Sequence, residues 1–396
     1  MHSRELASII TRQRSGYPVI AIHGPRQSGK STLAQQACPD LPLVRLEDPA
    51  EQALMRADWR GFFARHPDGA IIDEAQLVPE LFSALQARVD ADQRMGRWVL
   101  TGSQQFTLLS GISQSLAGRV ATLTLWPFAH SELAPSDRRA STLAQAVFMG
   151  GYAPLYDPRR QLDPVDWLAN HVITVLSKDV PEMIGVRNRS LFARFMGICA
   201  ALTGQEITKQ SFATDLGIDG KTVEAWLSIL EAACLIVRIA PYRRNFGKRI
   251  VAKPKLYMTD TGLICRLLHI RDVSQLRDHH QWGALVETWC AMEILKARQH
   301  HGMTGDLCYW RSSDGHEVDL IIDGGNVVLP IEVKASATPQ MSMAVGLQQL
   351  RALNARDTTV RVLPGIVLHG GDTTVPLGVD RAIPWHAIAP EARWSP

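Results

Sequence analysis

Mostly apolar runs punctuate the first third of the chain: Val19 to Ile22, Leu43 to Leu46, Ala70 to Ile72, Trp98 to Leu100 and Val120 to Leu125, with helical patterns between them. Runs without polar alternation read as strands buried on both faces, and such strands alternating with helices predict a parallel sheet covered on both sides. The segment from Pro18 to about Leu133 is therefore expected to be α/β. Trp126-Pro127 ends it, and His130 to Arg139, with Pro135, Ser136 and Asp137, reads as a linker. From Leu143 to about Gln205 the spacing becomes helical, broken by the turn Gly150-Gly151-Tyr152-Ala153-Pro154, and no chemistry is evident there. Lys209 to Leu216 forms a short helix, Gly217-Ile218-Asp219-Gly220 a turn, and Lys221 to Ala233 a second helix, with Val223, Trp226, Leu227, Leu230 and Cys234 at helical spacing. A last α/β segment, from about residue 271, carries strands at Leu307 to Trp310, Val318 to Ile322, Val327 to Val333 and Val360 to Leu368.

At 396 residues the chain exceeds what one hydrophobic core serves, so two to four domains are expected. Apolar residues at 46% and charged residues at 20% predict compact domains rather than long disordered tails. A net charge of +3 is too small to announce nucleic-acid binding, so that reading needs local clustering. Six cysteines lie far apart with no CxxC pair, which argues against a zinc site or a disulfide framework and fits a reducing cytoplasm. The N-terminus lacks an apolar signal core, and no run approaches the ~18 apolar residues of a membrane span. A cytoplasmic protein with no membrane partner is the expectation.

Gly24-Pro25-Arg26-Gln27-Ser28-Gly29-Lys30-Ser31 matches GxxxxGK[ST], follows the first strand and leads into a helix beginning near Thr32. Glycines there let backbone N–H groups face phosphate oxygens, and the helix N-terminus adds partial positive charge. Lys30 is expected on the β- and γ-phosphates of a nucleoside triphosphate and Ser31 on magnesium. Ala70-Ile71-Ile72-Asp73-Glu74 supplies the matching acidic strand end: Asp73 for the magnesium, Glu74 to orient and polarise the attacking water. Thr101 and Ser103, after the fourth strand, are candidate sensors of the γ-phosphate or, equally, caps of the next helix. Arg119 is a candidate arginine finger toward a neighbouring subunit of a homo-oligomer, or an ordinary surface arginine.

Residues 232–259 hold seven Lys or Arg (Arg238, Arg243, Arg244, Lys248, Arg249, Lys253, Lys255) and no Asp or Glu. A +7 segment after a helix-turn-helix pattern is the footprint that phosphate backbones attract. Lys221 and Thr222 would open the recognition helix, with Arg243, Arg244, Lys248 and Arg249 in a basic wing contacting DNA. A protein-contact face is the alternative for the same segment.

Asp319 opens one C-terminal strand, and thirteen residues on Glu332-Val333-Lys334 places Glu332 and Lys334 on one face of the next. Helical Glu287 faces Gly283, Ala284, Cys290, Ala291 and Ile294, a small and apolar setting for a carboxylate. Carboxylates and a lysine converging across two strands suit metal-dependent phosphodiester cleavage with a second Mg2+ or Mn2+, while a Glu332–Lys334 pair on a solvated strand is the plain alternative.

Taken with Leu100-Thr101-Gly102-Ser103-Gln104, Ser115-Leu116-Ala117-Gly118-Arg119, Gly150-Gly151-Tyr152 and Pro254 to Leu263, these motifs make nearly the whole chain resemble the bacterial and archaeal AAA-type ATPases with a C-terminal domain of unknown function. Tyr152-Ala153-Pro154 departs from the Tyr-Pro expected there. The resemblance implies an α/β chain of four parts: an AAA-type P-loop ATPase domain (1–135), a helical linker (136–189), a winged helix-turn-helix (190–260) and a PD-(D/E)XK nuclease-like α/β domain (261–396). An ATP- and Mg2+-dependent ATPase coupling nucleotide state to DNA binding is the favoured reading. A nucleotide-gated protein-interaction switch, or a DNA-binding regulator with an inactive nuclease-like domain, is its rival.

Overall fold

Five strands, β1 (Val19–His23), β2 (Leu43–Arg45), β3 (Ala70–Asp73), β4 (Trp98–Gly102) and β5 (Val120–Thr124), form a parallel sheet in the order β2-β3-β4-β1-β5. The computed structural model describes residues 2–102, 112, 115–134, 136–176, 188–242, 253–303, 305–312, 314–355 and 359–394. β1, β3 and β4 are buried at every position, as apolar runs without alternation require. Along β1 the period of two sorts the side chains. Val19 and Ala21 pack with Phe62, Phe63 and Leu81 on one face, and Ile20 and Ile22 pack with Leu6, Ile10 and Leu33 on the other. β4 lies between the P-loop strand β1 and the acidic strand β3, so residues at its C-terminal end sit between their two ends.

The stretch read as a linker is partly built in, since His130, Glu132 and Leu133 are buried. Helices Leu143–Met149, Pro164–Thr174 and Arg189–Ala201 follow. Helices Lys209–Leu216 and Gly220–Ala232 are joined at Gly217, whose φ of 66° a Cβ-bearing residue adopts with strain. Strands β6 (Gln205–Glu206), β7 (Ile236–Ile239) and β8 (Lys255–Met258) form an antiparallel sheet in the order β6-β8-β7. Phe192, Phe195 and Trp226 meet at ring separations of 5.1 to 5.7 Å and tie the two-helix unit to the preceding helix.

After helix Thr261–Leu267, the 19-residue helix Trp282–His300 leads into β9 (Asp306–Arg311), β10 (Glu317–Asp323) and β11 (Val327–Lys334). Helix Val345–Asn354, β12 (Arg361–Val362), β13 (Ile366–His369), β14 (Val375–Leu377), β15 (Asp380–Pro384) and helix Ile388–Ala392 complete it. The strands order β14-β15-β13-β11-β10-β9, with β12 beside β11. The strand expected over Val360 to Leu368 is thus two, broken around Pro364 and Gly365; a Cβ on Gly365 would meet the Leu347 side chain at 2.8 Å. One apolar core runs from Phe128 through Phe195, Tyr257 and Trp289 to Ala392.

Candidate functional site

The loop after β1 turns on Gly24 (φ 152°) and Gly29 (φ 95°), and a Cβ on Gly24 would sit 2.1 Å from the Leu125 carbonyl oxygen. Helix Lys30–Ala37 starts directly behind it, with Leu33 and Ala34 buried and Thr32 exposed. Lys30 is buried, and its Nζ donates to the carbonyl oxygens of Gly24 (3.1 Å) and Pro25 (2.9 Å). Burial pulls the Lys30 pKa down, and Glu74, Cys234 and Asp73 work against that pull.

Ser31 Oγ donates to Asp73 Oδ1 at 2.8 Å, and the buried Thr101 hydroxyl donates to the same oxygen. The Thr101 hydroxyl is thus turned to the acidic strand end, while residues 103–111, where a helix cap would act, lie outside the described residues. Glu74 follows in the left-handed region (φ 54°), half-buried, with Gln76 Nε2 donating to its Oε2. Ser31 and Asp73 fit a magnesium ion, being a hydroxyl and a carboxylate already within hydrogen-bond reach at the mouth of the loop. Ser103 lies outside the described residues. Arg119 is ion-paired with Asp90 and precedes β5 at the edge opposite the P-loop, roughly 16 Å along the strand from Thr124. It does not reach the nucleotide site of its own chain.

Beside the loop opens a cleft of about 500 Å³ lined by His2, Gln27, Thr32, Gln36, Phe128 and Tyr156 among others. Its apolar wall is the Phe128 ring, with Tyr156 edge-on at 6.0 Å, His2 at 5.3 Å and the Arg4 guanidinium 4.4 Å above it. The 150–160 turn, which showed no chemistry as a sequence, thus supplies half of a cleft of nucleoside size.

Two contacts connect this site to the rest of the chain. His23, at the end of β1, accepts or donates to Thr124 Oγ1 at 3.0 Å and meets Cys234 Sγ at 3.9 Å. Burial and then Lys30 push its imidazole down to about 4. On the other side Arg4 is buried and donates to Ser28 O (2.9 Å), Trp126 O (2.6 Å) and Glu132 Oε1 (3.0 Å). Burial opposes ionisation of Glu132, but Arg4, His300 and the amides of Ala129 and Glu5 outweigh it and hold its pKa below the ordinary value. His300 Nδ1 lies 3.7 Å from the same carboxylate, and Gln299 accepts from Trp126 Nε1 at 2.7 Å. Helix Trp282–His300 is therefore clamped to the P-loop by its C-terminal turn. Arg4 stands in no motif, and Cys234 reads only as an apolar position of the second helix of the helix-turn-helix pattern, so no local sequence signal ties either to this site.

The other end of that helix carries Glu287, whose Oε1 accepts from Lys255 Nζ (3.0 Å) and from Tyr257 Oη (2.6 Å). Lys255 also bridges Glu317 at 2.5 Å. On β10 and β11, Asp319 Oδ2 accepts from Val333 N (2.8 Å), while Lys334 Nζ lies 2.7 Å from Glu332 and 3.7 Å from Asp319. Glu287, Asp319, Glu332 and Lys334 are thus brought into one neighbourhood. Burial, then Asp319, pushes Glu287 up to about 7 and raises Glu332 as well. The expected second metal does not fit, because lysines already take up these carboxylates. Among the described residues no group of three or more His, Cys, Asp or Glu side chains is arranged to hold a metal ion.

The basic footprint is smaller than its sequence count. Arg238 is paired with Glu224 and Glu231, and Lys255 is buried in the cluster above, so neither is available to phosphates. Thr222 donates its hydroxyl to Asp219 Oδ2 at 2.8 Å as part of the helix cap, whereas Lys221 is exposed. Arg243, Arg244, Lys248 and Arg249 lie outside the described residues.

Among known proteins, three family profiles match in succession: an AAA domain over residues 16–134, the domain of unknown function DUF8612 over 140–274 and the domain of unknown function DUF4143 over 282–388. The first module is an AAA-type P-loop ATPase domain. Uncharacterized proteins of Mycobacterium tuberculosis and Mycobacterium bovis are each 30% identical over 345 residues, 86% of this chain and 76% of theirs. Among solved structures, the Walker-type ATPase of Pyrococcus abyssi is 16% identical with a TM-score of 0.45, covering 67% of this chain and 95% of that one. Among the described residues no helix is long and apolar enough to cross a membrane.

Proposed function

We propose, for a chain that belongs to the same family as these mycobacterial proteins, an AAA domain followed by two domains of unknown function, that it is a magnesium-dependent ATPase whose nucleotide state is passed to both following modules. The carrying observation is the convergence of the Ser31 and Thr101 hydroxyls on one Asp73 oxygen beside a buried Lys30. A bound nucleoside triphosphate with magnesium supplies the transferable phosphoryl group and neutralises its charge. Lys30 then exchanges the Gly24 and Pro25 carbonyls for phosphate oxygens. Ser31 and Asp73 would hold the metal, Glu74 would take the proton of the attacking water, and Thr101 would report whether the γ-position is filled. The aromatic cleft at Phe128 and Tyr156 suits the nucleoside. His23–Cys234 and Arg4–Glu132–His300 are the contacts through which a change at the loop would reach the middle and C-terminal modules.

The test is ATP binding and hydrolysis by the full chain with magnesium. Lys30→Ala should lose binding, and a protein that binds no nucleotide in any magnesium concentration would overturn the reading.

A second reading adds DNA. Two helices meeting at a left-handed glycine, with β6 before them and β7 and β8 after them joined in one antiparallel sheet, favour a winged helix-turn-helix. Exposed Lys221 opens its second helix. DNA affinity would rest on Lys221 and on Arg243, Arg244, Lys248 and Arg249, and salt dependence of binding would test it.

A further inference from the structure

Four carboxylates of the C-terminal module, Glu287, Glu317, Asp319 and Glu332, crowd together at the meeting of helix Trp282–His300 with β10 and β11. Left alone they would repel one another. Their compensation is asymmetric. Lys334 belongs to the same sheet, is about one-third exposed, and serves Glu332 and Asp319. Lys255 comes from β8 of the middle module, its side chain is only 4% exposed, and it serves Glu287 and Glu317. Burial alone would discharge Lys255, but Glu287, Asp319 and Glu317 outweigh burial and hold it charged.

β8 is buried at all four positions and fixed from several sides. It pairs with β6 and β7. The Lys255 ammonium lies 5.4 Å from the Tyr309 ring centroid, and Tyr309 Oη donates to the Lys253 carbonyl. Tyr257 points to the same face as Lys255 and donates to the same Glu287 oxygen. Gly346, whose Cβ would lie 2.2 Å from Glu332 Oε1, lets the start of helix Val345–Asn354 close over the cluster. Each carboxylate has a protein donor, and a fixed cation fills the place where a soluble one would be recruited.

We propose that Lys255 is the resident cation of this cluster, holding Glu287 and Glu317 closed to divalent metal and locking the middle module's sheet to the C-terminal sheet. A metal-dependent phosphodiesterase is then shut in this arrangement, and the C-terminal module responds to the placement of β8. The proposal does not depend on the nucleotide reading.

Lys255→Met removes the charge and keeps most of the stem. The metal-stripped full chain, wild type and variant, is titrated with Mn2+ alone, following free Mn2+ by electron paramagnetic resonance and unfolding by thermal melt. Lys255→Met should take up one Mn2+ per chain more than wild type, at least tenfold more tightly than any site of wild type in this module. Mn2+ should also raise the melting temperature of the variant but not that of wild type. Lys255→Arg should behave as wild type, and adding Glu287→Gln to Lys255→Met should abolish the extra uptake. If Lys255→Met does not fold without metal, folding on addition of Mn2+ supports the proposal. If it folds in neither condition, Lys255→Gln with Glu317→Gln removes cation and partner together and must gain Mn2+ over Glu317→Gln alone. Equal Mn2+ uptake by wild type and Lys255→Met, or a folded lysine variant with no gain, overturns it and leaves Lys255 as a plain structural ion pair.

Discussion

Asp260 Oδ2 accepts a 2.7 Å hydrogen bond from the Gly151 amide, 109 residues earlier in the chain. The other oxygen accepts from Leu263 N at 3.0 Å and so caps helix Thr261–Leu267. Gly150 is bare because a Cβ there would lie 2.2 Å from Asp260 Oδ1. One buried carboxylate thus fixes the turn after which Ala153, Pro154 and Tyr156 to Arg160 wall the cleft beside the P-loop. Asp260→Ala orphans two amides, one buried at the turn and one in the helix's first turn, and should cost about 2–4 kcal/mol. A urea midpoint unchanged from wild type would show that the turn is held by other contacts.

Lys30 and Glu74 occupy one site with different tasks. Lys30→Ala should weaken ATP binding tenfold or more, a loss of about 1.4 kcal/mol at least. Glu74→Gln should bind ATP as wild type and turn over about 10²–10⁴-fold more slowly, since only proton acceptance is removed. Direct binding by calorimetry and single-turnover hydrolysis separate the two. Equal loss of affinity in both variants would contradict the assignment of Glu74.

His171 stacks on Trp167 at 5.1 Å and meets Tyr152 at 4.6 Å, with Nε2 buried and without a hydrogen-bond partner among the described residues. Burial and then Arg26 push its imidazole down to about 4, against ~6.5 in the unfolded chain. Between those values the unfolded chain binds a proton that the folded chain refuses, so stability is present above ~6.5 and is lost as pH falls toward 4. His171→Phe removes this linkage. Relative to wild type the variant should gain about 2–3 kcal/mol on going from pH 8 to pH 4, read from urea midpoints at each pH. A pH-independent difference would mean that His171 is charged or solvated in the folded protein.

What the sequence disclosed depended on how local the cause was. The five parallel strands and the Gly24–Ser31 loop are written in contiguous residues, and Asp73 with Glu74 closes a run whose burial has one explanation. β14 and β15 escaped notice because both carry Pro, the turn between them is at Gly378 (φ 70°), and β15 opens on Asp380-Arg381 with only Ala382-Ile383 apolar, so neither shows the apolar run that marks a buried strand. Lys255 was miscounted as basic surface. Its neighbours Leu256, Tyr257 and Met258 are all buried, a strand covered on both faces, and a lysine in such a strand needs a carboxylate partner. That partner, Glu287, is 32 residues away, and only the fold brings it close. Arg4 is the same case, since its partners Ser28, Trp126 and Glu132 come from separate parts of the chain.

Six of the seven basic residues from Arg238 to Lys255, all but Lys253, divide into two groups with opposite expected phenotypes. Arg238 donates to Glu231 at 2.7 and 2.6 Å and to Glu224 at 2.9 Å, half-buried between the second helix and β7. Lys255 is committed to Glu287 and Glu317. Replacing either leaves carboxylates without their cation, so Arg238→Ala and Lys255→Met should lower stability while the salt dependence of any DNA binding is unchanged. Arg243, Arg244, Lys248 and Arg249 have no such commitment in the proposal made for them, which is contact with phosphates. Reversing these four to Glu should weaken DNA binding and flatten its dependence on salt, each lost contact removing roughly 0.9 from the slope of log affinity against log salt. The proposal that these four serve phosphates and not the fold also expects the thermal midpoint of that variant to stay within a few degrees of wild type. Filter binding of a mixed-sequence duplex from 50 to about 200 mM salt measures the slope, the range over which phosphate contacts are most visible. An unchanged slope in the fourfold variant would move the segment to a protein partner. A flattened slope in Arg238→Ala would instead mean that its pairing with Glu224 and Glu231 opens when DNA arrives.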